Sequence, residues 1–127
     1  MSTENPYTKL LDEIVRPAVE QLNGELSGST NFQIEVEEGN NLKNVVSRAI
    51  AQQRNETVYS DMVQEPLGIY LKDVNNPSGH RIMVIAGFIG DKIYIVDPGI
   101  DGTIIDIATD QVSQEMIKNS LKKCFKI

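Results

Sequence analysis

Residues 81–96 read RIMVIAGFIGDKIYIV, and this stretch decides the fold. Residues 82–89 are almost continuously apolar, which is typical of a central strand covered on both faces. Gly90-Asp91 then forms a short turn signal, because glycine tolerates positive φ, and residues 92–96 are apolar again. The stretch therefore predicts a β-hairpin at the centre of a mainly antiparallel sheet.

Shorter strands are predicted on both sides of this hairpin. Residues 32–37 alternate between apolar and polar side chains, which predicts a half-buried strand with an acidic outer face. Residues that alternate with period two predict three further strands. They are a weak strand at 57–63, which ends before Pro66, a second strand at 68–74, and a third at 103–107, after the hairpin. A turn at 75–79 is predicted between the second of these strands and the hairpin.

Three amphipathic helices are predicted around the sheet. Apolar residues recur at helical spacing from Tyr7 to Leu22, and Pro17 inside this stripe predicts a kink because proline has no N–H to donate. That helix is predicted to end at Asn23-Gly24, with a loop to residue 31. A second helix is predicted from Leu42 to about Arg54.

The last helix is predicted to begin at Thr109 or Asp110. Its inward residues are predicted to be Val112, Met116, Ile117, Leu121 and Cys124. The predicted order is α-β-α-β-β-β-β-β-α, an α+β fold with a mainly antiparallel sheet of about five to six strands and two to three packed helices. The length of 127 residues predicts a single domain, residues 1–127.

The charge of the chain is unevenly distributed. There are 12 Lys+Arg against 18 Asp+Glu, a net charge of -6. Residues 1–40 carry eight acids and two bases, whereas residues 41–127 carry ten of each. An acidic surface repels nucleic acid and attracts basic proteins, so no nucleic acid is expected as a partner. We predict that Glu35, Glu37 and Glu38 bind a partner protein that is basic.

Residue usage also bears on compartment, metals and oligomeric state. A single cysteine, Cys124, and an N-terminus unlike a secretory signal predict a reducing, cytoplasmic location. No apolar run is long enough for a membrane helix. One Cys and one His, His80, do not complete a usual zinc site, so neither metal nor cofactor is expected. A homodimer is predicted, since a second copy would cover the sheet if all helices packed on one face.

No catalytic constellation is recognisable, and no catalytic residue is predicted. His80 has no positioned partner and is predicted to lie exposed in a turn. The spacing of Asp97, Asp101 and Asp106 fails the calcium-loop pattern and is that of a tight turn. Gly87 and Gly90 precede a hairpin rather than a helix, so Gly87 indicates a bulge or a close backbone approach instead of a phosphate loop.

Arg81, Phe88 and Tyr94 are the candidate ligand-binding residues. An arginine with aromatic rings can hold a planar anion such as a nucleotide by stacking and charge-assisted hydrogen bonds. Three functions follow from the sequence. The first is a non-catalytic acidic interaction protein that acts as inhibitor, chaperone or regulator of another protein. The alternatives are a protein that binds or sequesters a small molecule or nucleotide-type ligand, and a small hydrolase or transferase with a composite carboxylate site.

In its small size, acidic composition and terminal amphipathic helices, the chain is similar to the type III secretion chaperones. Those proteins place three strands before the second helix, whereas one strand is predicted there in this chain. We therefore assign the chain to no family from its sequence.

Overall fold

A five-stranded antiparallel sheet forms the centre of the computed structural model, which describes residues 6–38, 41–97 and 104–125. Each strand pairs with its neighbour in the chain, in the order β1-β2-β3-β4-β5. The strands are β1 Phe32–Glu38, β2 Val63–Asp73, β3 Asn76–Phe88, β4 Lys92–Val96 and β5 Ile104–Ala108. The antiparallel α+β prediction is confirmed, although one strand fewer follows the second helix than was predicted.

The helices lie before, within and after the run of strands. They are α1 Pro6–Leu10, a π-helical segment Leu11–Val15, α2 Arg16–Ser29, α3 Leu42–Arg54 and α4 Gln114–Phe125. Two short 3-10 turns, Ser60–Met62 and Thr109–Gln111, precede β2 and α4 respectively. The predicted boundaries of α3 are confirmed, and Asn55 ends this helix in the left-handed conformation.

The helices cover opposite faces of the sheet. We call the face under α1, α2 and α4 the broad face and the face under α3 the narrow face. On β3, Met83 and Ile85 point to the broad face, whereas Val84 and Ala86 point to the narrow face, and all four are at most 1% exposed. The prediction that this strand is covered on both faces is confirmed. No second copy is needed to cover these residues, so the homodimer stays a prediction without that support.

Pro17 lies one residue after the start of α2, which directly follows a π-helical segment. A proline at this position cannot donate to the carbonyl of Glu13, and its ring crowds that carbonyl. The π-helical segment Leu11–Val15, directly before α2, accommodates the proline, because the turns of a π-helix are wider than those of an α-helix. Helical structure continues past the predicted end to Ser29, because Leu26 extends the buried stripe, and the predicted loop from residue 24 is therefore wrong.

The two strands predicted on either side of Pro66 are one strand, β2. The residues before Val63 are not in a strand, and the register of β2 against β3 shifts between Gln64 and Leu67. Glu65 has φ 50 at this bulge. A bulge leaves a residue outside the ladder of hydrogen bonds, which is why Pro66 is tolerated within the strand.

The turns around β3 also differ in detail from the prediction. Strand β3 begins at Asn76, so the turn lies at Val74-Asn75 rather than at 75–79, and His80 pairs with Lys72 in the sheet instead of lying in a turn. The central hairpin is confirmed, with Phe88 opposite Lys92. Its loop has three residues, since Ile89 joins Gly90 and Asp91, and the last two have φ values of 101 and 61.

The last helix starts later than predicted. Thr109 and Asp110 belong to a 3-10 turn, and the hydroxyl of Ser113 accepts a hydrogen bond from the Met116 N–H at 3.2 Å. Most of its predicted inward residues are buried or half-buried, but Met116 is 39% exposed, so that prediction is wrong. The strand predicted at 103–107 is confirmed as β5, Ile104–Ala108, and Thr103 and the preceding residues 98–102 lie outside the described residues.

Candidate functional site

The three acidic residues predicted to bind a partner lie on β1, an edge strand that pairs only with β2. Glu35 and Glu37 point to the narrow face, at a position that α3 does not cover, and Glu38 points to the broad face. All three side chains are exposed. The structure therefore gathers them along one margin of the sheet.

Each of these carboxylates has a contact within the chain. The Lys72 ammonium donates to Glu35 at 2.7 Å, and Arg16 pairs with both Glu38 and Asp12. A hydrogen bond with Glu37, together with burial and the charge of Glu37, raises the pKa of Tyr70. Ion pairs between exposed side chains contribute about 0–1 kcal/mol each, so a partner can replace them at small cost.

Arg16 connects the acids of the helix to those of the strand. It bridges Asp12 in the π-helical segment and Glu38 at the end of β1. We call this surface the acidic edge; it consists of Asp12, Glu35, Glu37 and Glu38 with Arg16 and Lys72. Its four acids outnumber its two bases, so this surface carries a net negative charge.

Among the described residues, side chains accept hydrogen bonds from backbone N–H groups in the first half of β1 and from none in its second half, and we call these halves guarded and open. The Phe32 N–H donates to the Thr30 hydroxyl at 3.1 Å, and the Ile34 N–H donates to the Asn23 side chain at 2.8 Å. These two N–H groups therefore point away from β2. Backbone direction alternates along an antiparallel strand, so the N–H and C=O groups of Val36 and Glu38 also point outward.

Of the three predicted ligand-binding residues, the structure brings two together. The rings of Phe88 and Tyr94 meet edge to face, with centroids 5.0 Å apart and planes at 75°. Arg81 lies on the other face of the sheet, opposite Leu71, and its Nη1 donates to the Phe125 carbonyl at 3.0 Å. Arg81 thus holds the end of α4 and is remote from the two rings.

Arg54 takes the place that the sequence analysis gave to Arg81. Its guanidinium carbon lies 5.4 Å from the centre of the Tyr94 ring, and its Nη2 donates to Asp106 at 3.1 Å. Burial alone would raise the pKa of Asp106, but the hydrogen bond and charge of Arg54 and the charge of Lys92 lower it. The signal that was missed is the four-residue spacing of Val46, Ile50 and Arg54, which places Arg54 on the sheet-facing side of α3.

Reactive groups are few in the part of the chain that the structure describes. Burial raises the pKa of the Cys124 thiol, which keeps it protonated at neutral pH and poorly nucleophilic. Among the described residues, no three His, Cys, Asp or Glu side chains form a group suited to a metal ion. Asp106 is paired with Arg54 and Lys92, and Asp101 lies outside those residues.

Two cavities lie near the two ends of β1. A pocket of about 300 Å³ lies where β1 ends, and Glu38 lines it together with the bulge of β2. A groove of about 510 Å³ runs between α2, the start of β1 and α4, with Phe32 and Lys122 on its walls. Neither is lined by the predicted ligand residues Arg81, Phe88 and Tyr94.

Comparison with known proteins identifies no relative of this chain. No family model matches it, and searches of curated proteins and of solved structures return no significant match. Within the described residues, no helix combines the length and apolar character needed to cross a bilayer.

Proposed function

We propose that the protein is a non-catalytic interaction protein that binds a basic segment of another protein at the acidic edge. The observation that carries the proposal is the surplus of exposed carboxylates beside strand backbone that points outward at Val36 and Glu38. Complementary charge speeds the encounter of two proteins and selects the partner. Inhibitor, chaperone and regulator are all roles that such binding serves.

Two further parts of the proposal concern its setting. The single cysteine, Cys124, is buried and unpaired, which supports a reducing compartment such as the cytoplasm. We also propose a homodimer. Its contact lies away from the acidic edge, because contact there would bring the like charges of two copies together.

A direct binding measurement tests the proposal. The probe is a fluorescent eight-residue peptide that alternates lysine and valine, with a glutamate and valine peptide as the comparison. We expect the lysine peptide to bind more tightly, and the double variant Glu35→Gln/Glu37→Gln to weaken this binding about fivefold, from two exposed ion pairs of roughly 0.5 kcal/mol each.

The matched control is Glu56→Gln/Glu115→Gln, which makes the same change of charge on two exposed residues, one after α3 and one in α4, that are not part of the acidic edge. We expect this control to change the affinity little. Equal weakening by both double variants would reduce the effect to bulk charge, and failure of the lysine peptide to bind would overturn the proposal.

Small-molecule binding is the second candidate, and one observation favours it. Arg54 and Lys92 share the single carboxylate of Asp106 beside the rings of Tyr94 and Phe88, which leaves one surplus positive charge next to aromatic surface. A thermal-shift panel of nucleotides and other metabolites tests it, because a ligand that binds the folded state raises the melting temperature. Any shift should disappear in Arg54→Met and persist in Arg81→Met; the absence of a shift across the panel would remove this candidate.

A further inference from the structure

We propose that the partner segment joins the sheet as an added antiparallel strand along Val36 and Glu38 of β1, and that it alternates apolar and basic residues. This inference rests on the proposed function, and it adds the mode of binding and the sequence pattern of the partner. Addition of a strand to an exposed sheet edge is a common way in which domains recognise peptides. The outward backbone of β1 supplies the main-chain hydrogen bonds for it.

The register follows from the two ends of β1. The side chains of Thr30, directly after α2, and of Asn23, within α2, accept hydrogen bonds from the N–H groups of Phe32 and Ile34, so an added strand finds no free donors there. At Val36 both the N–H and the C=O face outward, and the same holds for Glu38. A residue of the partner opposite Val36 therefore exchanges two hydrogen bonds with it, and the next contact in the same ladder is at Glu38.

The sequence pattern of the partner follows from the faces of the sheet. Residues directly opposite each other on neighbouring strands place their side chains on the same face. The residue opposite Val36 shares the broad face, where Val36 leaves 38% of its surface exposed, and an apolar side chain fits there. The residues opposite Glu35 and Glu37 share the narrow face, where a lysine or arginine meets each carboxylate.

A second copy of this chain is a poor occupant of the same edge. In a two-fold antiparallel pairing of β1 with itself centred on Val36, Glu35 of each copy would lie opposite Glu37 of the other. Pairing in the next register brings Glu37 against Glu37. Like charges directly opposite each other destabilise paired strands, and charged residues on edge strands commonly prevent such self-association.

Backbone methylation of the lysine–valine peptide tests the register with the unchanged protein. In the proposed arrangement the valine N–H groups face β1 and the lysine N–H groups face solvent. Methylation of the valine nitrogens should weaken binding roughly tenfold or more, because it removes at least one hydrogen bond and crowds the edge. Methylation of the lysine nitrogens should leave the affinity nearly unchanged.

A protein variant tests the same contact from the other side. Val36→Pro removes the outward N–H without breaking the ladder between β1 and β2, and proline is tolerated on edge strands. We expect it to weaken binding roughly tenfold, whereas Val36→Thr, which keeps the N–H, should bind nearly as the natural chain does. Equal melting temperatures of the two variants show that both are folded, and the methylated peptides decide the question if Val36→Pro does not fold.

The outcomes separate this inference from the proposed function. Binding of the unmethylated peptide that neither methylation pattern affects would overturn strand addition and leave the acidic edge as the binding surface. Loss of binding on lysine methylation alone would overturn the proposed register. No binding of the unmethylated peptide would overturn both the strand addition and the proposed function.

Discussion

The broad and the narrow face of the sheet solve the same packing problem in different ways. Helices from both ends of the chain, α1, α2 and α4, cover the broad face from β1 to β5. On the narrow face, the described residues that cover the middle strands come from α3 together with Val58, and the buried residues beneath them lie on β2, β3 and β4. Over β1 the narrow face carries Gln33, Glu35 and Glu37, which are exposed.

The difference shows where an exposed surface arises in a small sheet protein. A helix is about 10–12 Å wide with its side chains, and five strands about 4.8 Å apart span about 19 Å, so one helix lying along the strands covers two or three of them. Helix α3 accordingly contacts β2, β3 and β4. On the narrow face, α3 leaves β1 uncovered, and the residues that β1 places there are polar. This explains the exposure of Glu35 and Glu37, whereas Glu38 of the acidic edge points to the broad face. Substitutions in each helical layer test this difference.

The greatest loss of stability is expected when a buried side chain is truncated on either face of the sheet. Ile85→Ala on the broad face and Ile50→Ala under α3 should each lower the free energy of unfolding by about 2–5 kcal/mol, since both side chains are at most 1% exposed. Urea unfolding followed by circular dichroism measures both. A loss below about 1 kcal/mol for Ile50→Ala alone would mean that α3 is not packed on the sheet as described.

A smaller effect is expected where the first helix touches the broad face. A Cβ atom added at Gly87 would overlap the ring of Tyr7, whose hydroxyl donates to the Phe88 carbonyl, so Gly87→Ala should cost about 1–3 kcal/mol. The close approach at Gly87 is thus made by the side chain of Tyr7 and not, as predicted, by backbone within the sheet. Gly24→Ala is the matched control, because it meets no atom within 4 Å in α2 and should stabilise the helix by about 0.5–1 kcal/mol. Thermal unfolding of both variants measures these opposite effects. A Gly87→Ala protein with an unchanged melting temperature would contradict the contact between Gly87 and Tyr7.

The narrow face also contains a pH-dependent contact. The pKa of Asp106 is lowered in the folded protein, so its contribution is fully present above the unfolded value of about 3.9 and is lost as the pH falls through the lower folded value. Arg54→Met should cost about 0.5–1 kcal/mol at pH 7, and the difference from the natural chain should shrink below pH 3.9. Unfolding measured between pH 2 and 7 gives the profile. A difference that stays constant over this range would assign the whole effect to the Tyr94 ring.

The smallest effect is expected on the surface of the broad face. Hydrogen bonding to Lys118, and the charges of Lys118 and Lys122, lower the pKa of Glu25, which joins α2 to α4. Lys118→Met should raise the pKa of Glu25 toward its ordinary value, as measured by NMR titration of its side-chain carboxyl. Lys123→Met is the control on the same helix, and an equal shift in both variants would contradict the specific pairing.

Local patterns predicted the elements better than they predicted the contacts between them. The central hairpin, α3 and β5 follow from patterns within short segments, where periodicity and turn residues act locally. The division of β2 at Pro66 was wrong because a bulge at Glu65 lets the strand continue, and a bulge depends on pairing with a distant strand. The end of α2 was misplaced because the tertiary burial of Leu26 outweighs the Asn23-Gly24 stop signal.

The candidate sites show the same division. The acidic character of β1 was evident from residues 35–38, but its position at the sheet edge depends on which strands pair. The arginine beside Tyr94 is Arg54 rather than Arg81, because Arg81 points to the broad face and α3 packs on the narrow face, where Tyr94 lies. Asn23 could not be recognised as a guard of the Ile34 N–H, because the two groups meet only after α2 and β1 have packed.

Residue patterns alone lead to an antiparallel α+β protein whose most apolar strand is covered on both sides, because alternation and apolar runs set which faces are buried. They also show that negative charge concentrates in the first third of the chain. The folded chain is needed to see that the helices divide between the two faces and that β1 is an edge strand, guarded in one half and open in the other. Those properties depend on long-range pairing and packing, which no local pattern of residues encodes.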